Sequence, residues 1–313
     1  MAQTSTETSI LRIGSRGSAL ALVQAREVQS RLAQACGLPA GRIEIKTIRT
    51  TGDTIQDRPL VEAGGKGLFT KEIEEALLAG AIDLALHSSK DMPTVLPAGL
   101  VLSAFLPRED ARDAFVSRKA DRLADLPRGA VVGTASPRRQ ALVKRLRPDL
   151  AMVPLRGNVE TRLRKIEAGD ADATVLAIAG LKRLGLAAAA NAIFEIDDFI
   201  PAVGQGAIGI ETRADDAATR ALVAKIDDPD TAIALAAERA FLAELDGTCR
   251  TPIGGHARVN ESTVRFHGII VKPDGSAAFE VRREGRREEA AALGADAGRD
   301  LKARAGADFF VRD

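Results

Sequence analysis

Tryptophan and tyrosine are absent from this 313-residue chain, and phenylalanine occurs ten times. Base stacking on aromatic side chains is thus hardly available, and a net charge of +1 supplies no overall field for a polyanion or a membrane surface. Only two cysteines, Cys36 and Cys249, are present, which excludes a disulfide framework and fits a reducing compartment. The three histidines, His87, His256 and His267, are scattered without metal-ligand spacing, so no metal site is expected. No apolar run nears the ~20 residues that span a bilayer. Met1 to Ser9 is polar and lacks the apolar centre of a signal peptide. The expectation is a cytoplasmic protein with no membrane or nucleic-acid partner.

Hydrophobic residues make up 45% of the chain and charged residues 28%, an ordinary globular balance. With few aromatics, the core must be built from Leu, Val, Ile and Ala, which suits buried parallel strands and their covering helices. Leu11 to Gly14 reads as a strand, followed by a turn and a helix that Ser18 caps and Gly37 ends. Arg42 to Ile48 alternates as a strand, Leu68 to Leu78 is helical, and Ala81 to Leu86 is a buried strand that delivers His87-Ser88-Ser89-Lys90-Asp91. A second α/β unit begins beyond the charged link Arg108 to Arg112, with strands at 131–133, 151–155 and 173–177. Its helices start after Ser136-Pro137, near Asn158 and near Ala179. Ala207 to Glu211 reads as a strand that rejoins the earlier sheet. After the Asp227-Asp228-Pro229-Asp230 linker come a helix (231–244), a loop (246–255), three alternating strands and a charged helix. The domains expected are 1–106 with 207–224, then 112–200, then 229–313.

Charge is unevenly spread. Between Arg128 and Lys165 stand ten Lys/Arg against Asp149 and Glu160 alone. This cluster is either a focused anion site or a solvated basic face. Ligands in open α/β sheets sit beyond the carboxyl ends of the strands. The candidate loops fall there: Ser15–Ser18, Gly64–Gly67, His87–Asp91, Thr134–Arg139 and Arg156–Arg162. The last two open helices, where N–H groups favour anions, and their arginines add forks for carboxylate or phosphate. No Gly-Lys-Ser/Thr occurs, which argues against a P-loop. Asp91 is either a structural partner for nearby cations or a carboxylate that stabilises a cationic intermediate. Cys249, beside Arg250, is either a free loop thiol or a nucleophile with a lowered pKa. His87 reads as a satisfied core residue.

Eight stretches, in order, resemble the porphobilinogen deaminase family: Arg12–Ser18, Gly64–Phe69, His87–Asp91, Gly133–Gln140, Leu155–Asn158, Ala179–Gly185, Pro201–Ala207 and the Cys249 loop. The resemblance implies an α/β protein of two periplasmic-binding-protein-like lobes with mixed sheets plus a C-terminal α+β domain, active as a monomer. It implies a transferase in which a dipyrromethane is held by a thioether to Cys249. Four porphobilinogen molecules are then joined head to tail, each losing ammonia, to give linear hydroxymethylbilane. Asp91 takes the catalytic role. Arg16, Ser18, Lys66, Ser88, Lys90, Thr134, Ser136, Arg138, Arg139, Arg156, Arg162, Arg183 and Gln205 match the cofactor- and substrate-binding positions. Each pyrrole bears two carboxylates, which a cleft of Arg and Lys would answer. Three residues depart from the family pattern: Glu62 where Lys is frequent, Pro137 where Leu is usual and Thr248 where Gly is common. A two-lobed protein that binds small anions without catalysis is the rival reading; it leaves Cys249 without a purpose.

Overall fold

The computed structural model describes residues 11–54, 67–247, 251–306 and 309–310. The chain opens on β1 (Leu11–Ser15) and α1 (Ala19–Cys36). Ser18 caps this helix, its Oγ accepting from the Ala21 N–H, while Val28 and Leu32 bury the inner face. β2 (Ile43–Thr47), α2 (Thr51–Thr54), α3 (Lys71–Leu78), β3 (Leu84–Ser88) and β4 (Leu100–Phe105) follow. The chain crosses at 106–112 into β5 (Asp113–Ser117), β6 (Val131–Gly133), α4 (Pro137–Leu146) and β7 (Ala151–Val153). It continues through α5 (Val159–Ala168), β8 (Ala173–Ala177), α6 (Ile178–Arg183) and β9 (Ala192–Ile193). A second crossing at 200–207 leads to β10 (Ile208–Arg213) and α7 (Ala217–Val223).

The two sheets share one plan. Their orders are β2-β1-β3-β10-β4 and β7-β6-β8-β5-β9. In each, the strand reached directly after a crossing runs antiparallel to its neighbours: β10 beside β3 and β4, β5 beside β8 and β9. Each lobe therefore takes one strand from a crossing, and the crossings are part of both cores rather than a loose tether. A third unit packs α8 (Pro229–Glu244) and α9 (Ala290–Ala305) on an antiparallel sheet of β11 (Ile253–Val259), β12 (Thr263–Val271) and β13 (Ala278–Arg286). The architecture is the mixed α/β pair of lobes with an α+β unit that the sequence implies.

Differences from the sequence expectations are local. β5, β9 and α7 have no counterpart in the pattern reading. The apolar core of β5 is only Ala114 to Val116 behind a charged residue, too short a run to signal a strand. The helix expected from Leu68 begins at Lys71, because Thr70 and Lys71 first turn back onto the Gly67 carbonyl. The strand expected at 81–86 lies at 84–88, since Ala81 still bonds the carbonyl of Ala76. Pro137 occupies the first turn of α4, where its missing N–H leaves no gap in the ladder.

Candidate active site

A cavity of about 80 Å³ lies between the lobes, lined by Ser88 and Lys90 from one and by Arg139, Arg162 and Arg183 from the other. The ends of β3 and β8 both reach it, through Ser88 and Ala177. Gly204 and Gly206 of the second crossing form its floor. A β-carbon on Gly204 would sit 2.9 Å from the Lys90 nitrogen, and one on Gly206 would sit 2.3 Å from the Glu109 carbonyl oxygen. Both have positive φ, 73° and 88°. Only glycine lets the second crossing pass this close to the Ser89–Lys90 backbone on one side and to Glu109–Ala111 on the other.

Behind the cavity lies a buried ionic centre that sequence reasoning did not single out. Asp113, fully buried at the head of β5, accepts from Arg138 Nη2 through Oδ2 at 2.8 Å. Its Oδ1 accepts from Arg139 Nε and Nη2 at 2.9 and 2.7 Å and from Gln205 Nε2 at 3.1 Å. Burial alone would raise the Asp113 carboxyl, but the two guanidiniums hold it below the ordinary carboxylate range. Arg138 also donates Nη1 to the Ile200 carbonyl at 2.8 Å and lies outside the cavity lining. In the structure Arg138 thus clamps Asp113 to the start of the second crossing. Arg139 serves both, bound to Asp113 and facing the cavity. The available signal was Asp113 itself, an acid opening a run of apolar strand residues, which needs a cation partner if buried.

Lys90 and Arg162 are different. Among the described residues, no acceptor lies within hydrogen-bonding reach of Lys90 Nζ or of the terminal nitrogens of Arg162. The Arg162 Nε alone donates, to the Gly157 carbonyl at 2.8 Å. Burial, with Arg139 and Arg162 nearby, pushes the Lys90 ammonium down to about 8, against the opposing pull of Asp91 and Asp113. Burial and the charges of Arg139 and Arg156 likewise push Arg162 down to about 10, again opposed by Asp91. Mutually repelling, half-buried cations that are short of acceptors form a site that gains from bound anions. Asp91 sits in the same field as the one acid acting on both cations, and among the described residues its carboxylate accepts no hydrogen bond.

The remaining candidates separate. Gln205 is buried at the hinge, donating to the Ala111 carbonyl at 2.7 Å. Arg183 is half-buried and donates to the Gly206 carbonyl at 2.9 Å. Ser88 Oγ meets the Gln24 amide at 3.3 Å at the cavity wall. Ser136 caps α4 by accepting from the Arg139 N–H, and Thr134 Oγ1 accepts from the Ser136 N–H. Ser18 is the α1 cap. Arg16 is paired with Asp53 at 2.5 Å and lies 4.2 Å from the centre of the Phe69 ring. Arg156 is half-buried and acts on Arg162 by charge. Lys66, Cys249, Glu62 and Thr248 lie outside the described residues. The flanks of Cys249 are described: Gly247 ends the α8 segment, and the Gly255 N–H donates to the Pro201 carbonyl of the second crossing at 2.9 Å.

The state of Lys90 predicts a pH effect. Below pH 8 the ammonium is charged and can receive a carboxylate; above it the empty site loses that charge, and binding must take up a proton. KM for an anionic substrate should rise roughly tenfold between pH 7.5 and 9, and Lys90→Arg should flatten that rise. An equal rise in the arginine variant would remove Lys90 from anion binding.

Comparison with known proteins accounts for this arrangement. The family described as porphobilinogen deaminase, dipyromethane cofactor binding domain, matches residues 11–221, and the porphobilinogen deaminase C-terminal domain matches 232–303. The chain is 64% identical to porphobilinogen deaminase of Nitrobacter hamburgensis over 310 residues, covering 99% of this chain and 98% of that one. It is 55% identical to that of Paracoccus denitrificans over 300 residues, 96% of each. Among solved structures, a periplasmic substrate-binding protein of an ABC transporter from Coxiella burnetii overlays with a TM-score of 0.44 at 16% identity, over 71% of this chain and 94% of that one. With both family domains matched along nearly its whole length, the chain belongs to the porphobilinogen deaminase family.

Proposed function

We propose that the cavity between the lobes is where this transferase condenses four porphobilinogen molecules head to tail, with loss of ammonia, into linear hydroxymethylbilane. The observation that carries the assignment of the site is the pair of cations, Lys90 and Arg162, whose terminal nitrogens find no acceptor among the described residues and on both of which the charge of Asp91 acts. A dipyrromethane presents four carboxylates, and the donor chemistry here fits it: Lys90, Arg139, Arg162 and Arg183 all line one cavity. When bound, the dipyrromethane supplies a nucleophilic pyrrole carbon at which the chain is extended.

The residues of the chain divide the remaining work. Arg162 and Lys90 bind acetate and propionate groups and orient the ring that bears them. Arg139, fixed by Asp113, gives a donor that cannot swing away as substrate arrives. The Asp91 carboxylate faces the positive charge that develops on porphobilinogen as its carbon–nitrogen bond to ammonia breaks. It also accepts the pyrrole N–H, which holds the ring in register. After carbon–carbon bond formation, an Asp91 oxygen takes the proton lost from the ring carbon in this proposal. Cys249 is proposed as the attachment point of the dipyrromethane. The enzyme is proposed to work as a monomer in the cytoplasm without nucleic acid or membrane; among the described residues no helix is long and apolar enough to cross a bilayer.

Product stoichiometry tests the assignment. Purified protein given porphobilinogen should release one ammonia per molecule consumed and one linear tetrapyrrole per four. Binding without ammonia release would favour the rival, a protein that only holds small anions.

A further inference from the structure

The third unit touches the catalytic segment directly, through two neighbouring residues of α8. Glu238 is fully buried, and its Oε1 accepts from Arg108 Nη1 at 2.5 Å and from the Ala257 N–H at 2.8 Å. Its Oε2 accepts from the Gly204 N–H at 2.7 Å. Arg108 in turn donates Nε to the Gln205 carbonyl at 2.9 Å. One carboxylate thus gathers both crossings and β11. The next side chain, Arg239, donates Nη2 to the carbonyls of Pro93 and Thr94, at 2.8 and 3.2 Å. These carbonyls follow Asp91 by two and three residues.

Three observations set this contact apart from general packing. First, residues 92–99 form no helix or strand, and among the described residues no backbone N–H donates to the Pro93 or Thr94 carbonyl. Among the described residues Arg239 is the one hydrogen-bond donor to the Pro93 and Thr94 carbonyls, just past Asp91 and the buried Met92. Second, burial draws the guanidinium down from its ordinary range, opposed by the charge of Glu211. A cation withdrawn from water onto two neutral carbonyls is a costly way to add stability alone. Third, Glu211 also holds His87 on the near side of Asp91, with Nε2 to Oε2 at 3.1 Å and both side chains buried. The segment from His87 to Thr94 is thus restrained at one end by the Glu211 carboxylate and at the other by Arg239.

We infer that Arg239 is a positioning residue for the reaction: from the third unit it fixes where the Asp91 carboxylate stands relative to the helix that leads to Cys249. The inference rests on the role proposed for Asp91, and it extends that role by naming the part that sets its geometry. Misplacement of a reacting group by about 1 Å costs up to about a hundredfold in rate, so loosening this anchor lowers turnover while leaving the cationic wall for substrate carboxylates in place.

The test uses full-length protein carrying its pyrrole adduct, checked by intact mass. Arg239→Met should lower kcat about tenfold with KM within about twofold of wild type. Amide exchange at Ser89 and Met92, whose N–H groups donate to the Ala207 and Ser89 carbonyls, should quicken, with exchange elsewhere unchanged. Arg239→Lys, which keeps one donor and the charge, should recover most of the lost kcat. Unchanged kcat in Arg239→Met would overturn the inference, as would a rise in KM at constant kcat, which would make Arg239 an anion contact. Global loss of exchange protection in both variants would reduce it to a fold support and equally overturn it. If wild type itself releases no ammonia, the proposed function fails first, and the two failures are told apart.

Discussion

Replacing Asp91 with alanine should leave the protein folded and carrying its pyrrole adduct while kcat falls by about 10³-fold. That loss corresponds to about 4 kcal/mol of transition-state stabilisation. The size follows from where the carboxylate sits. Around it Lys90 and Arg162 are already pushed down by burial and by one another, to about 8 and about 10. A carboxylate already fixed beside the reacting centre stabilises a cation forming on the substrate without solvent having to reorganise. Substrate carboxylates are held by other residues, so KM should move much less than kcat. Asp91→Asn keeps the shape and one acceptor oxygen but not the charge, and it should fall nearly as far. Asp91→Glu keeps the charge at a displaced position and should lie between. Rates within about threefold of wild type in Asp91→Ala would remove Asp91 from the chemistry.

Much of the fold was legible in the sequence because local signals agreed with one another. Ser18 and Ser136 both mark helix starts and both cap in the structure. The apolar runs that end at His87 and at Ala177 became the strands whose ends meet at the cavity. What escaped was non-local. β5 gains its identity from pairing with β8 and β9, and β9 from pairing with β5, across as many as 79 residues of chain (Ala114 to Ile193), and both carry too few apolar residues to announce it. α7 was hidden in the polar stretch after Arg213, although Asp216 caps it.

The site shows the same division. The basic excess of 128–165 falls in the second lobe, where Arg139 and Arg162 line the cavity. A sequence cannot say which of two adjacent arginines turns inward. Arg138 and Arg139 stand side by side, yet the first is committed to Asp113 and the Ile200 carbonyl while the second also faces the cavity. Asp113 and Glu238 organise the hinge through partners that are 25 to 130 residues distant. No spacing rule reaches that far. Ser18, Ser136 and Arg16 resemble binding positions, and the structure gives each a local structural partner as well.

The claim on which the account stands is that the growing polyanion is anchored to the third unit and held by cations between the other two. The third unit, which carries Cys249, is bonded to the second crossing from β11, where the Gly255 N–H donates to the Pro201 carbonyl, and from α8, where Glu238 accepts from the Gly204 N–H. Cys249→Ser should therefore abolish turnover altogether, a larger effect than any loss of a binding arginine, since no partial anchor substitutes for a covalent one. Intact-mass spectrometry of the purified chain is the decisive measurement. Wild type and Asp91→Ala should each exceed the sequence mass by two condensed pyrrole units, and Cys249→Ser should match its sequence mass. Wild-type protein that turns over porphobilinogen at the bare sequence mass, or a serine variant that still carries the adduct, would contradict the account.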